Sequence, residues 1–334
     1  MTTHERLVAL EKLGHFLSAI DEGALQDLSE KVRNENTWFT PGSVELAIAG
    51  VCRYLNGQYL QQWAASYPAP AQPKKVGVVM AGNIPLAGFH DMLSVWVSGH
   101  ILLAKLSSKD SVLPTFMVNK LIEIEPRFQS LTHIESQLKN FDAIIATGSD
   151  NSARYFHYYF GKYPHIIRKN RTSCAVLTGE ETTEQLSLLG RDVFTYFGLG
   201  CRNVSKIFAP EGFDPVRLLE AWDIYVDIIH HHKYHNNYDY QKSILLVNKI
   251  PFYDSGFVIL QEDEKLVSPI SVVYFERYAS HEQLATRLDA VSDKIQCIVG
   301  TGRAGWVPFG EAQSPGLWDY ADRVDTMKFL AELA

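Results

Sequence analysis

Three short apolar runs, Val76-Gly77-Val78-Val79-Met80, His100-Ile101-Leu102-Leu103-Ala104 and Phe141-Asp142-Ala143-Ile144-Ile145-Ala146, each pass through a turn into a helical pattern. Runs that are apolar on both faces suit strands covered on both sides, as in a parallel sheet. Three strand, turn and helix units in succession predict a Rossmann-like sheet, with ligands at the carboxyl ends of its strands. The residues at those ends are the first functional candidates. After the first run, Ala81-Gly82-Asn83-Ile84-Pro85-Leu86 offers the Asn83 amide as a donor to an oxyanion or as a helix cap. Pro85 then sits in the first turn of a helix from Leu86 to Ser98. After the second run, Lys105-Leu106-Ser107-Ser108-Lys109-Asp110 puts an ammonium in reach of a nucleotide phosphate or ribose, although a lone surface lysine carries little weight. After the third, Thr147-Gly148-Ser149-Asp150 opens a helix through Gly and Ser, a natural anion site.

The second half holds a different candidate. In Gly198-Leu199-Gly200-Cys201-Arg202-Asn203, two glycines deliver a cysteine to the mouth of the strand that begins at Val204. Their missing side chains let a substrate carbonyl approach both the Cys201 sulfur and its backbone N–H. Most cysteines are instead buried small hydrophobes, and the glycines with Arg202 and Asn203 weigh against that reading here. Arg202 lowers the thiol pKa if its guanidinium points inward, and does nothing if it points to solvent.

Composition bounds the rest. With 46% hydrophobic and 21% charged residues the chain is an ordinary globular protein, and 334 residues suit about two domains. A net charge of -7 without a basic run opposes a nucleic-acid partner. Cys52, Cys174, Cys201 and Cys297 form no C-x-x-C pair, so neither a zinc ribbon nor a disulfide framework is indicated, and reduced thiols in the cytoplasm fit best. The N-terminus has no apolar signal region, and Val76 to Phe89 is too short and too polar to span a bilayer, which predicts a soluble, unexported protein. Helical spacing of Leu7, Leu10, Leu13, Leu17 and Ile20, a second pattern from Ala24 to Val32, and more from Pro41 to Ala65 predict a helical N-terminus. Three prolines between Tyr67 and Lys75 end it.

Ala81-Gly82-Asn83-Ile84-Pro85-Leu86, Leu103-Ala104-Lys105-Leu106-Ser107-Ser108, Ala146-Thr147-Gly148-Ser149 and Gly198-Leu199-Gly200-Cys201 resemble, in order, four signature stretches of the aldehyde dehydrogenase superfamily. The chain is most similar to its LuxC-like acyl-CoA reductases, over roughly residues 76 to 210. The resemblance implies an α/β aldehyde dehydrogenase-like fold, with a cofactor domain over 1–170 and a catalytic cysteine domain over 171–334. It implies Cys201 as nucleophile and Asn83 as oxyanion-hole amide. It also implies Lys105 and Ser107 near the adenosine ribose of NADPH or NADH, and Gly148 and Ser149 near the pyrophosphate or nicotinamide. The substrate implied is an acyl-CoA, and a homo-oligomer is left open.

Two departures refine it. Where hydrolytic members carry a water-activating glutamate, Ile167-Arg168-Lys169-Asn170-Arg171-Thr172 offers no acid, so a thioacyl enzyme would persist until a thiol or a hydride attacks it. The stretch holding the ribose-binding glutamate is also missing, its nearest analogue being Leu266-Val267-Ser268-Pro269-Ile270. An aldehyde oxidiser with a base elsewhere and a non-catalytic protein of the same fold are the alternatives.

The C-terminal part offers two decoys and one closing segment. His230, His231, His232 and His235 include an i, i+4 pair that can bind zinc, but without a third ligand a solvated surface is the plainer reading, and no metal site is expected. Gly300-Thr301-Gly302-Arg303-Ala304-Gly305 matches a dinucleotide fingerprint literally. No helix pattern follows it, so it reads as a mobile loop. Gln313 to Tyr320 lines a channel or, more plainly, seals the core before a last helix ending at Leu330.

Overall fold

The computed structural model describes residues 1–333, which divide into two compact units. One comprises Met1–Asn170 and the residues from Pro315 on, and the other Arg171–Ser314.

The first unit opens with helices α1 (Thr3–Ser18), α2 (Glu22–Glu35), α3 (Pro41–Tyr54) and α4 (Gly57–Ala65). Thr2, Asp21, Thr40 and Asn56 each cap one of them by accepting a first-turn N–H. Leu7, Leu10, Leu13 and Leu17 are all buried, as their spacing requires. Then come β1 (Lys75–Val79), α5 (Phe89–Ser98), β2 (Ile101–Lys105), α6 (Val112–Ile124), β3 (Thr132–Ile134), β4 (Ala143–Thr147), α7 (Asp150–Phe160) and β5 (His165–Arg168). The strands form one parallel sheet in the order β3-β2-β1-β4-β5. The chain winds outward from β1 through β2 to β3, then returns to β4 on the other side of β1. That reversal puts the ligand crevice of such sheets between the carboxyl ends of β1 and β4.

Two features differ from the sequence reading. The edge strands β3 and β5 were not foreseen, because Thr132-His133-Ile134 exposes two of three residues and His165–Arg168 has no continuous apolar run. The helix expected from Leu86 starts at Phe89, since Leu86 takes a left-handed φ of +57°. Pro85 therefore lies in a turn ahead of the helix, not in its first turn.

The second unit contains β6 (Thr172–Val176), α8 (Thr183–Phe194), β7 (Val204–Pro210), α9 (Val216–Trp222), α10 (His232–Val247), β8 (Tyr253–Asp254), β9 (Ile259–Glu262), β10 (Val272–Tyr278), α11 (His281–Ala290) and β11 (Ile295–Val299). Its sheet runs β11-β6-β7-β10-β9-β8, parallel except for the antiparallel β8 and β9 pair. Phe194, Trp222 and Phe257 anchor its largest apolar cluster.

The last helix, α12 (Thr326–Ala331), returns to the first unit with the segment before it. This corrects the 171–334 boundary. The aromatic residues Trp63 and Tyr67 draw that segment back: Trp63 Nε1 donates to Tyr320 Oη at 2.7 Å and Tyr67 Oη to Asp325 Oδ2 at 2.8 Å. His90 Nε2 lies 2.9 Å from the Leu317 carbonyl, and Leu317 and Leu330 are buried, so the segment seals the core. Arg168 fastens α12 to α5, donating to Asp91 Oδ2 at 2.5 Å and Thr326 Oγ1 at 2.8 Å while only 3% exposed. Arg168→Ala leaves Asp91 buried without its cation and is expected to cost about 3–5 kcal/mol in denaturant unfolding. A loss below about 1 kcal/mol would be the behaviour of a solvated surface pair instead.

Candidate active site

The candidates divide between the units: Asn83, Lys105, Ser107, Gly148 and Ser149 belong to the first, Cys201 to the second. The parallel register brings the first group to one sheet edge. Val79 pairs with Lys105 on one side and Ala146 on the other, so the loops after β1, β2 and β4 emerge side by side. Asn83 is exposed in the first loop. It does not cap α5, whose N-cap is Gly88 with no side-chain bond. Exposed Lys105 donates from Nζ to the Ser136 carbonyl at 2.8 Å. Ser107 Oγ accepts the Lys109 N–H at 3.2 Å and packs beneath Gly82, where an added Cβ would lie 2.3 Å from it. Gly148 lies against α7, where an added Cβ would come within 2.8 Å of Ser152 Cβ. Ser149 is the N-cap of α7, its hydroxyl accepting the Ser152 N–H at 3.2 Å. Asp150 already places a carboxylate in the first turn of that helix, which reduces its attraction for a second anion.

Cys201 sits at the amino end of β7, exposed, in a turn whose shape is set by its neighbours. Tyr196, Phe197 and Gly198 take successive left-handed φ angles of +52°, +59° and +77°. Two non-glycine residues in that region are strained and need outside support. Asn203 supplies it. Its Oδ1 accepts the Gly200 N–H at 2.8 Å, and its Nδ2 donates to the carbonyls of Asp192, Val193 and Thr195 at 3.0, 3.2 and 2.7 Å. One buried amide thus closes the end of α8 and fixes the chain on both sides of the two glycines. From β6, Ser173 Oγ donates to the Cys201 carbonyl at 3.0 Å. Arg202 does not point to solvent: its Nε donates to the Ala312 carbonyl at 2.7 Å.

The same region is tied to the chain beyond β11. Fully buried Asp192, in the last turn of α8, accepts the Gly310 N–H at 2.6 Å and the Ala312 N–H at 2.8 Å. With Arg202 these bonds pin residues 310–312 beside the Cys201 turn. No helix forms over residues 300–320, and Gly302 and Gly305 take φ angles of +80° and +84°. Burial pushes the Asp192 carboxyl up to about 6, against the pull of the two amides. The folded chain then holds that proton to a higher pH than the unfolded chain, whose aspartate titrates near 4. Stability is therefore lost as pH rises from about 4 to about 6. The stability advantage of wild type over Asp192→Asn should shrink across that window in urea unfolding, and a constant difference would contradict the shift.

A cleft of about 420 Å³, including its open mouth, lies in the second unit between Phe197 and Gly198 on one wall and Ser268, Pro269 and Ile270 on the other. The analogue of the missing ribose-binding stretch thus comes beside the cysteine turn. Leu266 is held there by Ser205, whose hydroxyl donates to its carbonyl at 2.9 Å. The histidine cluster breaks up. His231 caps α10 and packs its ring 4.3 Å from that of Phe197, while His230, His232 and His235 are exposed. Among the described residues no group of three or more His, Cys, Asp or Glu is placed to hold a metal ion.

The two sheets, their order and the parallel β1-to-β5 winding define the class: the chain has an aldehyde dehydrogenase-like fold. It superposes on an aldehyde dehydrogenase of Bacillus cereus solved with NAD+ (TM-score 0.63, 11% identity, 90% of this chain and 72% of that one). Aldehyde dehydrogenase 21 of Physcomitrella patens gives a TM-score of 0.62 at 13% identity over 90% of this chain and 74% of that one. Proline utilization A of Bradyrhizobium japonicum gives 0.65 at 15% identity, over 90% of this chain but 36% of that one. The sequence is also similar to a curated protein. It is 22% identical over 223 residues to the long-chain acyl-protein thioester reductase of Aliivibrio fischeri. That match takes in 60% of this chain and 46% of the relative, so the alignment spans about half the length of the curated relative. No family model matches the chain. Among the described residues no helix is long and apolar enough to cross a membrane.

Sequence reasoning found the loops but missed Asn203, Asp192 and Asp110 as the side chains that hold them. For Asn203 a signal existed, an amide two residues past the cysteine and just ahead of a strand.

Proposed function

We propose that the chain reduces an acyl-CoA thioester, with a fatty acyl group, to the aldehyde through a thioacyl intermediate on Cys201. The observation that carries this reading is the exposed Cys201 in a turn braced by Asn203, on an aldehyde dehydrogenase-like fold whose 167–172 segment offers no acid for hydrolysis. Arg168 in that segment is committed to Asp91 and Thr326. By the sequence resemblance the segment stands where hydrolytic members carry their base, and a thioester without such a base survives until another nucleophile arrives. A relative named as a thioester reductase supports the same chemistry.

In this reading the Cys201 thiolate attacks the thioester carbonyl carbon, the C–S bond to coenzyme A breaks, and coenzyme A leaves as its thiolate. The Asn83 amide and the Cys201 backbone N–H take the oxyanion, roles that come from the sequence resemblance. Reduced nicotinamide cofactor, NADPH or NADH, bound in the first unit would supply the hydride that the acyl carbon takes, and would itself be oxidised. The C–S bond to Cys201 then breaks, the electron pair returns to sulfur, and the aldehyde departs. The first unit fits a nucleotide where Lys105 and Ser107 put an ammonium and a hydroxyl at the carboxyl end of β2 in a doubly wound sheet. The Asp150 carboxylate makes the Gly148 and Ser149 end better suited to a nicotinamide than to a pyrophosphate. The apolar side chains of Phe194, Phe197, Val258 and Ile270 that line the cleft beside Gly198 suit an acyl chain.

The test is to follow oxidation of NADPH or NADH with acyl-CoAs of increasing chain length, trapping the aldehyde. Thioester-dependent oxidation with one aldehyde per cofactor supports the reading. Carboxylic acid formed from aldehyde and oxidised cofactor without coenzyme A would replace it with aldehyde oxidation.

A further inference from the structure

Asp110 closes the short turn after β2, its own N–H donating to the Ser107 carbonyl at 3.2 Å. It is only 1% exposed, with one carboxyl oxygen accepting the Leu86 N–H at 2.8 Å and the other, Oδ1, without a partner. A buried carboxyl that leaves an oxygen unused is costly, and natural folds retain such groups for a reason. Burial, with the nearby Glu35 adding to it, pushes this carboxyl up to about 7. Glu35 itself is committed to the start of α6, accepting the Ser111 hydroxyl and the N–H groups of Ser111 and Val112.

What Asp110 holds is unusual. Leu86 is a buried leucine at φ +57°, a conformation that the side chain disfavours and that survives only under outside constraint. Three residues earlier comes Asn83, and before it Gly82. A Cβ on Gly82 would lie 2.3 Å from Ser107 Oγ, 2.6 Å from Ser107 Cβ and 3.3 Å from Asp110 Cβ. The loop that carries Asn83 is thus fastened at both ends to one four-residue turn, at Gly82 by contact with Ser107 and at Leu86 by the bond to Asp110.

We infer that Asp110 is a positioning residue: through the Leu86 N–H it fixes the loop that presents the Asn83 amide, and the Ser107–Asp110 turn locks that loop to the cofactor edge of the sheet. This rests on the proposed thioester reduction for its catalytic consequence, and on the bonds alone for its structural one. Displacing a catalytic amide by about 1 Å is enough to lower turnover up to a hundredfold without touching the reacting atoms.

The test combines amide hydrogen exchange over residues 82–88 with steady-state kinetics on acyl-CoA and reduced cofactor. Asp110→Ala is expected to raise exchange in that peptide about tenfold or more, as a loop that has lost its anchor opens locally. It should lower kcat about tenfold or more while KM stays within about twofold, the signature of an interaction used in the transition state. Asp110→Asn keeps an oxygen for the Leu86 N–H and should hold both readouts within about threefold of wild type. Should Asp110→Ala fail to fold, Gly82→Ala drives the other end of the loop off Ser107 and should reproduce its exchange and kcat changes. Unchanged exchange over 82–88 in Asp110→Ala, or raised exchange with kcat untouched, overturns the inference. Wild-type protein without thioester turnover contradicts the functional reading instead, and the exchange data then decide the anchoring on their own.

Discussion

Cys201→Ala is expected to lower thioester reduction below about one ten-thousandth of the wild-type rate, the scale lost when a covalent nucleophile is removed. The sulfur is the atom to which the acyl group transfers, and the replacement leaves nothing to carry it. Because Cys201 is exposed, the variant should keep wild-type stability to within about 0.5 kcal/mol and still bind reduced cofactor. That combination separates loss of chemistry from loss of fold. The buried Cys174 cannot substitute, since burial drives its thiol well above the usual range and the thiolate is the reactive form. Retained turnover in Cys201→Ala, measured by aldehyde release, would remove the cysteine from the mechanism.

Asn83→Ala should cost about a hundredfold to a thousandfold in kcat, the usual effect of deleting one oxyanion donor. Its KM should change little, because the charge that the amide stabilises exists only after attack. The alternative role, capping the following helix, would show up as lost stability. Gly88, not Asn83, occupies the N-cap of α5, so no loss of that helix's cap is expected in denaturant unfolding. A variant with normal kcat and reduced stability would assign Asn83 to the scaffold.

The sheet of the first unit was legible because its central strands are apolar on both faces and their turns are marked by Gly, Asn and Ser. β1, β2 and β4 fall within one or two residues of the runs read from sequence. The edge strands were not legible, since an edge position half exposed to solvent needs no apolar run. The destination of the last twenty residues was hidden for another reason. Tyr320 and Leu317 meet Trp63 and His90 across more than 220 positions of sequence, and no local pattern encodes such a partner. The resemblance to the aldehyde dehydrogenase superfamily held for the fold, and the curated relative, at 22% identity, is named as a thioester reductase. The four motifs located the candidate loops, but what holds those loops was invisible. Asp110 and Asp192 look like ordinary polar residues in sequence, and only the structure shows that Asp110 clamps one backbone amide, and Asp192 two, from a distant segment. The helix boundary failed at Leu86 for the same reason: a long-range bond to Asp110 keeps the backbone out of the helical region.

The central claim is that Cys201 accepts an acyl group from a thioester and yields it to a hydride. The most direct measurement is the intact mass of the protein after incubation with acyl-CoAs of different chain length, with and without NADPH or NADH, beside Cys201→Ala. The account predicts one acyl adduct per chain, mapped to Cys201, absent from the variant, and discharged as aldehyde when reduced cofactor is added. No adduct from any acyl-CoA, or an adduct of equal yield on Cys201→Ala, would contradict it.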